Sequence, residues 1–260
     1  MNLHAAVDGW GRPTRALETV IDLDPDVAVC PETWRGDDGD DHVARLAAAL
    51  GARVEFAPLA RAERVTSGAG PGTWQPRLAH LTGERGLFFH EHRDLTRAQH
   101  ESRRATTREH GTWGLSLTTR LVVEDVREVS MGRLAREKVN RSVIVARLVE
   151  AGRPFHLVAL HGAHLSHGSY RQYRRVRALV ATLDPDTPLL LVGDFNSWRP
   201  LLRLFLPGYR TLVRARTWPA RHPHSQIDHV LGRGPWRVSG AGARDGGSDH
   251  RALFVDLELA

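Results

Sequence analysis

Cysteine is all but missing. Cys30 is the single one in 260 residues, which excludes an intrachain disulfide and leaves the fold to rest on packed side chains. Lysine is equally scarce: Lys138 is the sole lysine among 36 basic residues, so the positive charge is carried by arginine. The formal net charge of +6 suits a polyanionic partner, but charge balance describes solubility and field before function, and in a chain this rich in Ala and Gly it carries little weight alone. No apolar run approaches the roughly 20 residues that cross a bilayer, and no basic-then-apolar leader opens the chain. No membrane span is expected, and a cytoplasmic location is. Internal repeats, low-complexity tracts and sharp breaks in composition are lacking too, so one domain over residues 1–260 is the expectation, large enough to bury a substantial core.

What is present is a series of short apolar runs between turn signals. Strands are expected at residues 26–30, 114–119, 142–148, 155–160, 189–192, 227–231 and 252–259. Helices are expected at 14–21, at 42–50 behind an Asp41 cap and before a Gly51 stop, and at 169–183. The last carries Arg171, Arg174, Arg175 and Arg177 around more than one face, as a solvated helix does. From Leu59 to Thr112 the chain turns polar and rich in Arg and His, which reads as a loop-rich insert. His90, His92, His100 and His110 in that stretch match no compact zinc spacing.

The stretch "PLLLVGDFNSW", residues 188–198, ends an apolar strand on a carboxylate and a carboxamide two residues apart. Alternation along a strand delivers Asp194 and Asn196 to one side as the strand runs out, where together they can orient a water and hold the oxygen of the group it attacks. Asp and Asn are also common turn formers, so the motif taken alone is ambiguous. Four other strand margins end in the same manner, at Glu32, at His161, at Asp228 followed by His229, and at Asp249 followed by His250.

In this order, "LVGDFNSW", "QIDHVLGRG" and "GGSDHRALFVDL", supported by "DPDVAVCPETW", "GRPFHLVALH" and "NLHAAVDG", resemble the endonuclease/exonuclease/phosphatase superfamily over the whole chain. The resemblance implies a four-layered α/β sandwich, two mixed, mainly antiparallel sheets face to face with helices outside and the active site at one edge. It implies hydrolysis of a phosphoester with Mg²⁺ or Mn²⁺. Glu32 and Asp249 match the metal-contacting acids, and a hard cation takes one or two carboxylates and keeps several waters. Asp194 matches the aspartate that orients or deprotonates the attacking water, and Asn196 its phosphate-steadying partner. His250 matches the phosphate-side histidine, with Asp228 holding its tautomer. His161 matches a second histidine placed to donate to the transition state, and Asn2 is expected beside metal and phosphate. His164 is the alternative to His161. Apart from the resemblance, Arg141 at the head of "SVIVARL" fits a bidentate contact to a phosphate oxygen and a surface ion pair equally well.

Pro31 stands where the family often has glutamine, Ala159 and Leu160 replace a common Asn-Thr, and Ala252 replaces a frequent proline; none removes a candidate catalytic group. Asn2 follows the first residue directly, without the apolar strand the family places before it, so the expectation is either a start further upstream, which leaves secretion open, or another segment covering the gap. The favoured reading is a metal-dependent phosphodiesterase of nuclease type, with arginines on the phosphate backbone and Trp74, Trp113, Trp198 and Trp218 placed to stack on bases. A phosphatase or phospholipase acting on a lipid headgroup or sugar phosphate is the alternative, followed by a catalytically impaired binding module. Oligomeric state is not legible.

Overall fold

The computed structural model describes residues 1–8, 11–67, 106–137 and 139–260. Three runs read as strands, "SVIVARL", "PFHLVAL" and "LLLV", are apolar at nearly every position, which a strand tolerates only when both of its faces are covered. They become β5 (Arg141–Glu150), β6 (Arg153–His161) and β7 (Leu189–Asp194), central in a six-stranded sheet of order β4-β5-β6-β7-β9-β8. The others are β4 (Val122–Gly132), β8 (Arg210–Thr211) and β9 (Asp228–Arg233). All pairings in this sheet are antiparallel except β6 with β7.

A second sheet has the order β1-β3-β2, from β1 (Val27–Gly36), β2 (Arg53–Ser67) and β3 (Thr106–Thr119). A separate hairpin pairs β10 (Trp236–Arg244) with β11 (Ala252–Leu259). Alternation sorts the core into layers. Ile144, Ala146, Leu148, Phe155, Leu157 and Leu190 meet Val29, Ala57, Leu115 and Leu117 of the smaller sheet, with Trp236 and the inner face of the hairpin alongside. The intervening Val143, Val145, Val158, Leu160, Leu189 and Leu191 face the other way. There they pack under α3 (Tyr170–Val180) and α4 (Arg199–Phe205) through Tyr173, Val176, Val180 and Leu202.

On the far side of the smaller sheet, Ala28 and Cys30 pack with α1 (Ala16–Asp22) and α2 (His42–Leu50) through Leu17, Val20, Leu46 and Leu50. The result is helix, sheet, sheet, helix, the layered α/β sandwich expected, with the β10–β11 hairpin as a third, small sheet. Helix α2 has the bounds its signals predict. Asp41 Oδ1 accepts from the N–H groups of Val43 at 2.8 Å and Ala44 at 3.1 Å, and Gly51 closes the helix at φ 58°, so that two orphaned N–H groups are capped, a device that contributes about 1 kcal/mol.

The polar stretch 59–112 is not loop at its margins. Strand β2 runs to Ser67 and β3 begins at Thr106, paired from Arg53↔Thr119 to Ser67↔Thr106 with one register shift between Pro58 and Ala60. Residues 68–105, with Trp74, His90, His92 and His100, lie outside the described residues, and His110 is exposed on β3. At the chain start, Met1 N donates to Val29 O and Leu3 N to Pro31 O, both at 2.9 Å, so residues 1–3 lie along β1. No helix among the described residues is long and apolar enough to cross a membrane.

Candidate active site

Strand pairing assembles the centre of the site. In the parallel β6–β7 ladder His161 is opposite Asp194, and in the antiparallel β7–β9 ladder Asp194 is opposite Asp228. One imidazole and two carboxylates thus occupy the same rung of three neighbouring strands. The approach is tight enough to require glycine: a Cβ on Gly193, at φ 142°, would lie 1.9 Å from Leu160 O, and one on Gly162 would lie 2.7 Å from Phe195 O. Only a residue without a side chain lets Asp194 reach that level.

Past Asp194 the chain turns at Asn196, whose φ of 49° is left-handed, a region Asn tolerates better than most residues. The Asn196 N–H donates to Asp194 Oδ1 at 2.7 Å. Its carboxamide Nδ2 donates to Gly162 O at 3.1 Å and to Asp194 Oδ2 at 3.3 Å. From the other sheet Asn2 Nδ2 reaches the same Oδ2 at 3.2 Å. Three groups therefore donate to Asp194, which is 1% exposed.

His250 closes the cluster. Its Nδ1 lies 2.8 Å from Asp228 Oδ2, and its Nε2 lies 3.7 Å from Asp194 Oδ2 and 3.9 Å from Asp249 Oδ2. His161 Nε2 lies 3.8 Å from both Asp194 Oδ2 and Glu32 Oε1. The two Nε2 atoms thus flank one carboxylate oxygen at distances too long for hydrogen bonds. Thr217 Oγ1 accepts from the N–H groups of Ile227 and Asp228, each at 3.3 Å, and fixes the start of β9.

Burial and neighbouring charge set the proton inventory. Desolvation pushes Asp194 up to about 7, aided by the charge of Asp228 and opposed by His250 and the donors of Asn196 and Asn2. Burial also pulls His250 down, but Asp228, Asp249 and Asp194 outweigh it and raise it well above the usual imidazole value. Desolvation would raise Asp228, yet His250 lowers it below the ordinary carboxylate range. At neutral pH this pair is an imidazolium against a carboxylate. His161 goes the other way, held well below its usual value by burial and by the charges of Arg141 and His250, so it is neutral. Two carboxylates face its Nε2, which favours the Nε2–H tautomer and leaves the buried, unpartnered Nδ1 as a bare acceptor.

Glu32 is brought in by a β-bulge. The β1–β3 register slips between Cys30 and Thr33, Glu32 takes a left-handed φ of 56°, and Pro31 is tolerated because the ladder is interrupted there. The Glu32 side chain is 25% exposed and that of Asp249 18%. Asp194, Asp228 and His250 also offer ligand atoms within 4.8 Å of one another, but His250 and Asp228 already share a proton. The half-open carboxylates of Glu32 and Asp249, hard oxygen donors with room for water, fit a hydrated Mg²⁺ or Mn²⁺ better.

Two expected residues sit elsewhere. Arg141 does not point at substrate: Nε donates to Glu137 Oε2 at 2.7 Å and Nη1 to His161 O at 3.3 Å, so its charge is spent inside the fold. His164 is exposed beyond β6, with Nδ1 2.9 Å from Ser166 Oγ and its ring 6.0 Å from that of His167, whereas His161 lies against Asp194. One residue was passed over. His4 follows Asn2 within a turn where His4, Ala5 and Ala6 all have φ near 50°, a strained arrangement for non-glycine residues. Arg64 Nη1 holds the turn through Ala5 O at 2.7 Å. His4 Nδ1 lies 2.7 Å from Val7 O, and although burial lowers its affinity for a proton, the charges of Asp249 and Glu32 raise it overall. The only sequence signal was its place two residues after Asn2.

Among curated proteins none matches the sequence significantly. Solved structures with similar folds include an endonuclease/exonuclease/phosphatase from Beutenbergia cavernae, 18% identical with TM-score 0.62, covering 100% of this chain and 70% of that one. The mannosyl-6-phosphatase Bt3783 of Bacteroides thetaiotaomicron is 14% identical with TM-score 0.60, covering 97% and 92%. Danio rerio TDP2, solved with a single-strand DNA product, is 12% identical with TM-score 0.58, covering 94% and 91%. The model of the Endonuclease/Exonuclease/phosphatase family matches residues 4–250. The chain belongs to that family, whose members hydrolyse phosphoesters and in general depend on a divalent metal.

Proposed function

We propose that this chain is a metal-dependent phosphodiesterase of nuclease type, in which Asp194 activates the attacking water. The observation that carries the reading is the shared rung of His161, Asp194 and Asp228, with the two Nε2 atoms of His161 and His250 facing Asp194 Oδ2. A water beside Asp194 gives up a proton to a carboxylate whose affinity burial has raised to about 7, a value matched to base catalysis near neutrality. The water oxygen bonds to phosphorus as the P–O bond to the leaving alcohol breaks. His250, cationic against Asp228, stabilises charge on the phosphoryl oxygens, Asn196 holds the Asp194 carboxylate in place through its two donors, and neutral His161 donates a hydrogen bond from its Nε2–H. The leaving oxygen takes a proton from solvent and Asp194 releases to solvent the one it accepted, so the balance closes. A divalent cation on Glu32 and Asp249 would supply charge neutralisation. Arg141 acts at one remove, by positioning His161 through its carbonyl.

The test is hydrolysis of bis(p-nitrophenyl) phosphate, plasmid DNA, RNA, a sphingomyelin-like lipid and an inositol phosphate, each with and without Mn²⁺. The expected result is diester cleavage that needs Mn²⁺ and falls by about 10²- to 10⁴-fold in Asp194→Ala. Turnover of the lipid or the monoester alone would replace this reading with the headgroup or sugar phosphatase. No turnover of any substrate would end it.

A further inference from the structure

Trp198 is 42% exposed, and it stands two residues beyond Asn196, within about 7 Å of extended chain. A half-exposed indole at the mouth of a polar site presents a flat apolar face on which a planar ring can stack, and the fold fixes this one in place. It is the residue that starts α4, where its carbonyl accepts from Leu201 N at 3.0 Å and Leu202 N at 3.1 Å. Its Nε1–H donates to Ser225 Oγ at 3.2 Å, so the polar edge is tethered to protein.

Ser225 belongs to a strap that leads into Asp228. Its N–H donates to Trp218 O at 2.9 Å, and its carbonyl accepts from Thr217 N at 2.8 Å and Trp218 N at 3.0 Å. The same Thr217 holds the N–H of Asp228, and Thr217 O accepts from Arg251 N at 2.8 Å, next to His250. On this strap Arg214 and Arg216 are exposed, and among the described residues neither forms an ion pair. The rim therefore offers a fixed aromatic face and, on the strap segment that ends at the Thr217 and Trp218 pairing with Ser225, two exposed guanidinium groups.

We propose that this rim is a stacking platform for a nucleobase, so that the substrate is single-stranded nucleic acid, with an unpaired base on Trp198 and the adjoining phosphates on Arg214 and Arg216. An indole face accepts any base and a duplex hides its base faces from it, which makes the platform selective for unpaired strands and tolerant of sequence. The proposal rests on the phosphodiesterase reading and narrows it.

The test is equilibrium anisotropy, in EDTA, of a fluorescein-labelled ten-nucleotide oligo(dT), the same length of abasic strand and a duplex, with the full chain. Wild type is expected to bind oligo(dT) about 5- to 150-fold more tightly than the abasic strand, the range for one stacked base. Trp198→Ala should erase that difference and Trp198→Phe should restore part of it, with unchanged circular dichroism showing that both fold. Arg214→Gln with Arg216→Gln should flatten the salt dependence by about 1.4 in log K against log salt, about 0.7 for each contact to a single-stranded phosphate. Equal binding of base-bearing and abasic strands, or a difference that survives Trp198→Ala, overturns the platform. If bis(p-nitrophenyl) phosphate is hydrolysed in the same preparation, the phosphodiesterase reading stands without it. If base-selective binding appears with no hydrolysis of any diester, the platform stands and the hydrolase reading falls.

Discussion

At the scale of single residues the site is held against the fold's own preference, and pH exposes the conflict. Asp194 ionises near the ordinary carboxylate value when unfolded and only at about 7 when folded. Between those values the folded state carries the extra proton, so stability falls as pH rises. His250 is raised well above its usual 6.5; its contribution is complete below the unfolded value and is lost as pH climbs through the folded one. Both groups act in the same direction, while buried His161, held below its usual value, acts the other way up to about 6.5, so the melting temperature of the metal-free protein is expected to drop as pH climbs above about 6.5. Asp228→Asn removes the largest charge that raises His250, so its decline above pH 6.5 should be shallower; a parallel decline in both proteins would refute this assignment. The candidate groups Asp194, His161, Asp228 and His250 were legible because they sit at strand ends, where an apolar run makes an acid or imidazole conspicuous. His4 was not, because its proximity to Asp249 and Glu32 comes from a left-handed turn with no sequence signature. Nor was the inward turn of Arg141, which depends on Glu137 folding back from the preceding loop.

At the scale of elements, what was legible follows burial. Strands β5, β6 and β7 announced themselves because both of their faces are covered, and α2 because Asp41 and Gly51 bracket it. Strand β4 gave no such signal: it is an edge strand with mostly exposed or half-buried residues, and an edge needs no apolar run. Strand β10 is glycine-rich and exposed along most of its length, and β2 beyond Leu59 is polar. Helix α4 was missed because "RPLLRLF" is short and carries a proline, which the first turn accommodates. One junction between elements is open to direct test. Gly193→Ala would drive a methyl group against Leu160 O across the parallel β6–β7 pairing and would also strain a backbone at φ 142°. The expected cost exceeds about 1 kcal/mol, read as a lowered denaturation midpoint with a loss of activity larger than the fraction unfolded, since Asp194 moves with the strand. An alanine variant of unchanged stability would show that the two strands can part freely and that the rung does not fix the site.

For the whole molecule the charge distribution is the remaining question. The chain carries a formal net charge of +6, yet Glu32, Asp249, Asp194 and Asp228 gather beside a single imidazolium at one edge of the sandwich. Pro31–Glu32 comes from the smaller sheet, Asp194 and Asp228 from the larger, and Asp249 from the connection between β10 and β11, so the acids reach the site from separate layers. A cation on Glu32 and Asp249 would act across that division, and its binding should register as global stability as well as turnover. At a Mn²⁺ concentration about 100 times its dissociation constant the gain is about 2.7 kcal/mol, seen as a rise in melting temperature that EDTA reverses. Glu32→Gln combined with Asp249→Asn should lose the rise in melting temperature with Mn²⁺, because the two carboxylates that would hold the ion are gone. If the double variant keeps the full Mn²⁺ response, the ion is held elsewhere, and the buried trio of Asp194, Asp228 and His250 becomes the place to look for it.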